Sequence, residues 1–151
     1  MIRSLDPQEQ LLVLTHNYIG QLGYEQHQQP FVVQITYFYD SEENTIIGYS
    51  GPGHKINALR KNPNVCLAVS DIDSVNEWKS VLVHGTFEEL SGSTAKAWLH
   101  KFSLGVKDLI MRKEKRSLDF INQFSSKIYK DEIPIVFTIK IHKMTGRMRK
   151  F

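Results

Sequence analysis

The chain has 151 residues, 41% hydrophobic and 23% charged, enough for a buried core, and it predicts a single domain over residues 1–151. A net charge of +3 is too small to mark a nucleic-acid surface, and the basic runs at 111–116 and 140–150 read as solvated faces. No apolar run approaches the ~20 residues that cross a bilayer, and the start MIRSLDPQE is too polar for a secretion signal. The lone Cys66, in the apolar run VCLAV, predicts a buried, inert thiol in a reducing cytoplasm.

In chain order, Asp6-Pro7-Gln8-Glu9 predicts a helix start. Asp6 is the N-cap, Pro7 the first helical residue and Glu9 the partner in a capping box. YIGQLGY is a first short strand and QHQQP a turn. PFVVQITYFYD, rich in β-branched and aromatic residues, predicts a strand, with DSEEN as its hairpin loop and NTIIGYS pairing back. A short amphipathic helix, HKINALRK, stops at Asn62-Pro63.

NVCLAVSDI is the next strand. NEWKSVLVHGTFEEL then alternates, with Trp78, Ser80, Leu82 and His84 on one side and Val81 and Val83 on the other. SGSTAKAWLHKF predicts a helix capped by Ser91 or Ser93. KRSLDFINQFSSKIY predicts another, with Phe120, Phe124 and Ile128 along one face. A last strand, IPIVFTIKIHKM, follows Pro134, and Thr145-Gly146 predicts a turn into the tail. These elements predict an α+β fold, an antiparallel barrel of six strands with flanking helices, and exclude the strand–helix alternation of a parallel sheet.

Few residues offer chemistry. The six histidines are scattered, with no helical His pair and no Cys/His cluster, so no metal site is predicted. There is no Gly-x-Ser-x-Gly nucleophile turn, and the acidic pairs Glu42-Glu43 and Glu88-Glu89 lie at polar strand ends. The exception is YSGPGHK, from Tyr49 to Lys55. It places two glycines, a hydroxyl and a fixed cation where a strand meets a helix start, whose unpaired N–H groups attract anions. By itself this stretch reads as either a tight corner or a phosphate seat.

Its neighbours add a resemblance. The order PFVVQITYFYD, hairpin, IIGYS, GPGHKINALRKNP, then EWKSVLVHGTFEEL and IVFTIKIHKMTGR resembles the FMN-binding split barrel of the pyridoxamine 5'-phosphate oxidase superfamily. Within it, the chain is most similar to the small branch that includes nitroimidazole-resistance-type flavoproteins. The resemblance spans roughly Ile19 to Arg147 and implies a six-stranded split β-barrel of Greek-key type with FMN as cofactor. It implies that His54 and Lys55 hold the FMN phosphate with help from Tyr49 and Ser50. The ring would lie along Val32, Val33, Gln34, Ile35, Thr36 and Tyr37, and Ser80 would supply a polar contact.

The resemblance further implies a homodimer with flavin sites at the subunit interface and an oxidoreductase acting on a small molecule. The alternative is a non-catalytic flavin- or haem-binding module, and the scaffold also accepts a deazaflavin. Three departures stand out. His54 replaces the usual arginine, Gln34 stands where relatives often carry proline, and KMTGRMRKF lacks the oxidase's substrate-binding tryptophan and basic pattern. The last argues against true pyridoxamine-phosphate oxidation.

Overall fold

The computed structural model describes residues 1–114 and 134–151. The chain order is β1 (Ile2–Ser4), α1 (Pro7–Thr15), β2 (Ile19–Gln26), β3 (Gln29–Thr36), β4 (Phe38–Asp40), β5 (Thr45–Ser50), α2 (His54–Lys61), β6 (Asn64–Ser74), β7 (Glu77–Leu90), α3 (Gly92–Glu114) and β8 (Ile135–Lys150). All strand pairs are antiparallel, in the order β3-β2-β6-β7-β8-β5-β4, with β1 on β8. Among the described residues eight strands stand where the sequence predicts six. One addition is β1. The other comes from PFVVQITYFYD, which breaks at Tyr37 into two strands.

That break closes the sheet. β3 lies at one end of the strand order and β4 at the other, so the single residue between them carries the chain from edge to edge. Tyr37 has no exposed surface; its N–H donates to Tyr18 O at 2.8 Å and its hydroxyl to Leu14 O at 2.7 Å. Inside the curl, alternate residues form the core: Leu22, Tyr24, Ile35, Val65, Leu67, Val69, Val81 and Val83 are buried, with Ile56 and Leu59 from α2 and Leu14 from α1. A second cluster joins α3 to the barrel through Leu99, Phe102 and Val106 against Ile47 and Val136.

The helix starts follow the sequence unevenly. Asp6 caps α1 with the full capping box, and Arg3, then the Asp6 amide, hold the Glu9 carboxyl down at about 2. α3 continues well past the predicted HKF to Glu114. A glycine inside a helix costs about 1 kcal/mol relative to alanine, yet Gly105 is required because a Cβ there would enter the Phe38 ring. Lys101 ties α3 to β4 through the buried Asp40 carboxylate at 2.9 Å. The predicted helix KRSLDFINQFSSKIY lies outside the described residues.

Two expectations are corrected. Thr145-Gly146 is no turn: β8 runs through it to Lys150, pairing Gly146 with Val81. Leu5 and Gln10 pack closely against this glycine, each 3.0 Å from where a Cβ would sit. Cys66 is half-buried and faces outward between the buried Val65 and Leu67, because the strand alternation puts it on the outer face. No helix among the described residues is long and apolar enough to cross a membrane.

The register of β7 on β8 shifts between His84 and Gly85. A Cβ on Gly85 would collide with the Lys140 carbonyl oxygen, which is backbone and cannot yield. Gly85→Ala is expected to destabilise the fold by roughly 1–3 kcal/mol, read as a lower urea midpoint with an unchanged slope; an unchanged midpoint contradicts this packing.

Candidate functional site

The site grows from α2. Ile56, Ala58 and Leu59 are buried against the barrel, and Arg60 makes a two-pronged contact with Glu89 on β7, both bonds 2.8 Å. The helix is therefore pinned along its inner face and at its C-terminal end. Its N-terminus is different: the N-cap is Gly53, no side chain caps it, and the first internal bond is Asn57 N to Gly53 O at 3.0 Å. The amides of His54, Lys55 and Ile56 thus form an uncapped first turn. Beside them, a Cβ on Gly51 or Gly53 would meet nothing within 4 Å, so the corner opens on free space.

Lys55 sits on this turn half-buried, and its burial pushes the ammonium below the ordinary lysine range. Among the described residues nothing bonds or pairs with it. Several other cations have an acid within reach: Arg3 has Glu9, Arg60 has Glu89, Lys101 has Asp40 and Glu42. A partly desolvated, unpaired cation at an uncapped helix start is an electrostatic vacancy of one sign.

His54 is exposed but not loose. Its Nδ1 lies 3.1 Å from the Tyr24 hydroxyl, and its ring meets the Phe31 ring edge-on at 4.8 Å between centroids. Tyr24 and Phe31 are themselves cross-strand partners on β2 and β3, stacked at 5.4 Å. This aromatic group, which the sequence reading missed, docks the start of α2 on the β2–β3 hairpin. Its signal was present: a two-residue loop at His27-Gln28 pairs Tyr24 with Phe31 by counting back along both strands. Both loop residues have positive φ, 53° and 63°, as the tight hairpin twist requires, but neither is the glycine or asparagine that usually marks it.

The other predicted residues divide. On β3, Val32, Gln34 and Thr36 face outward, Val32 with 70% of its surface exposed. Val33 and Ile35 turn inward with Phe31, and Tyr37 is sealed in the core with its N–H on Tyr18 O. Because β3 ends the strand order, its backbone away from β2 is unpaired along one edge among the described residues. Ser50 donates to the Gly51 carbonyl at 2.8 Å and lies at the corner.

The Tyr49 ring packs on Phe102 of α3 at 5.1 Å, and burial raises its phenol. Ser80 is not brought to the corner. It pairs with Ser70, four residues along β6 from Cys66, the partner of Gly23. At about 3.3 Å per residue that is roughly 13 Å from the Tyr24 end of the sheet. Among the described residues no group of three or more His, Cys, Asp or Glu is placed to hold a metal.

The sequence pattern of the pyridoxamine 5'-phosphate oxidase family matches residues 6–148, and the chain belongs to that family. An FAD-binding protein from Mesorhizobium loti has a similar structure, with 28% identity, TM-score 0.76 and 99% of each chain covered. A putative 5-nitroimidazole antibiotic resistance protein from Bacteroides thetaiotaomicron shares the fold at 21% identity and TM-score 0.63, over 98% of this chain and 89% of that one. A protein of Rhizobium meliloti is 34% identical over 89 residues, which cover 59% of this chain and 58% of the relative's length.

The depressed Lys55 fixes the sign of a stability effect. The folded chain holds this proton less tightly than the unfolded one. The cost is therefore full below the folded value and is relieved as pH rises toward the unfolded value. Lys55→Met, which keeps the stem and removes the charge, is expected to raise the melting temperature of the ligand-free protein by roughly 1–2 °C at neutral pH. A lower melting temperature contradicts the account of Lys55 as an unpaired, desolvated charge.

Proposed function

We propose that this protein binds FMN with its phosphate at the start of α2 and acts as an oxidoreductase on a small molecule. The observation that carries the reading is Lys55, a half-buried cation with no counter-charge among the described residues, beside an uncapped helix turn. A dianionic phosphate supplies the charge this corner lacks. The Lys55 ammonium and the first-turn amides hold it, with Ser50 and His54 at the margin. The outer edge of β3, unpaired among the described residues, offers backbone donors and acceptors to the ring at Val32, Gln34 and Thr36. The similar FAD-binding protein supports a flavin; a corner built around one lysine suits a single phosphate, hence FMN.

When bound, the flavin supplies the electron transfer, so the chain need only bind and orient it. Tyr49 enters through its backbone at the corner, since its ring is spent on α3. Ser80, too far along the sheet to reach the same corner, fits the site if a second copy supplies it. The uncovered outer face carrying Val32, Gln34, Ala68 and Leu82 is the surface we assign to that homodimer. The compartment we assign is the cytoplasm. The missing tryptophan and basic pattern in KMTGRMRKF keep pyridoxamine phosphate itself outside the reading.

Mass spectrometry of the small molecule released on denaturing the purified protein tests the cofactor. FMN is the expected mass; FAD would correct the nucleotide, and release of no flavin, with none taken up on reconstitution, would overturn the reading. Lys55→Met should weaken FMN binding by more than about tenfold, the loss of one charge-assisted contact, and an unchanged dissociation constant would remove the phosphate from this corner.

A further inference from the structure

The Tyr24–His54 contact has a directional consequence. Tyr24 is buried, with only 6% of the residue exposed, and His54 Nδ1 at 3.1 Å is the sole hydrogen-bond partner of its hydroxyl among the described residues. A buried O–H must donate somewhere. If Nδ1 carried the ring proton, two hydrogens would face each other across this contact, or the phenol proton would be left without an acceptor. The satisfied arrangement has Tyr24 donating to Nδ1, which places the proton of the neutral imidazole on Nε2.

We infer that Tyr24 is a positioning residue that fixes His54 as an Nε2–H donor toward the phosphate seat at the start of α2. Nε2 is on the far side of the ring from Tyr24, and His54 is exposed beside the space left open by Gly51 and Gly53. Phe31 holds the ring plane by its edge contact, so Tyr24 sets the tautomer while Phe31 sets the orientation. The division of labour follows: Lys55 supplies the charge, and His54 supplies one aimed hydrogen bond. The inference rests on the phosphate reading of the corner.

The test begins without ligand. Long-range proton–nitrogen NMR on histidine-labelled protein, at mildly alkaline pH, should show His54 as the Nε2–H tautomer, and Tyr24→Phe should give a mixture. FMN and riboflavin titrations then read the consequence: Tyr24→Phe should weaken FMN by about threefold to tenfold, the worth of one aligned hydrogen bond, and leave riboflavin unchanged. His54→Gln, whose amide nitrogen reaches the Nε2 position, should bind FMN nearly as the parent does. His54→Asn, which reaches only Nδ1, should lose as much as His54→Ala.

An Nδ1–H tautomer in the parent, or equal FMN binding by Tyr24→Phe and the parent, overturns the inference alone. Equal losses for FMN and riboflavin also overturn it, since they would mark a structural role. Failure of the parent to bind FMN at all brings down the phosphate reading itself, a distinct result.

Discussion

The architecture depends on Tyr37. A strand that continued straight through this residue would leave β3 and β4 on one edge of an open sheet. Tyr37 instead has its amide on Tyr18 and its hydroxyl on Leu14, both backbone carbonyls at the α1–β2 junction. These bonds bury a polar side chain without leaving an orphaned group, which in an apolar interior would cost on the order of 1–3 kcal/mol. They also turn the chain so that one half pairs with β2 and the other with β5. β3 is left with an unpaired edge, and the hairpin it forms with β2 is carried to the start of α2.

What assembles there is the corner we propose as the phosphate seat. The inner face of α2 is held by Ile56, Ala58 and Leu59, and its far end by the Arg60–Glu89 pair. The helix cannot rotate to bring Lys55 fully into water without exposing that core. Lys55 therefore remains half-buried with its charge unanswered among the described residues, a local destabilisation that an anion would reverse. The uncapped Gly53 points the same way. Serine or aspartate would stabilise the helix start by roughly a few tenths of a kcal/mol but would fill the space with a competing acceptor.

Much of this was legible in the chain. The Asp6 capping box, the alternation of EWKSVLVHGTFEEL and the helix between Gly53 and Asn62 all follow local rules, and local rules survive folding. What escaped were features set by contacts distant in sequence. The break at Tyr37 depends on Leu14 and Tyr18. The straight run through Thr145-Gly146 depends on Leu5 and Gln10, which turn an apparent turn glycine into a packing glycine. The extension of α3 past Gly105 depends on Phe38. At the site, Lys55 could be picked out as a charge at a helix start, but its half-burial and lack of a partner could not. Tyr24 was invisible because the His27-Gln28 loop lacks the residues that usually announce a two-residue hairpin.

The central claim is that the start of α2 is a phosphate seat. Comparing FMN with riboflavin on the unaltered protein tests it directly, because the two ligands share the ring and differ in the phosphate. Titration by flavin fluorescence should give an FMN dissociation constant at least about tenfold below that of riboflavin, as a charge-assisted contact implies. Equal affinities would mean that the phosphate meets nothing, and that Lys55 with its open corner serves some other end.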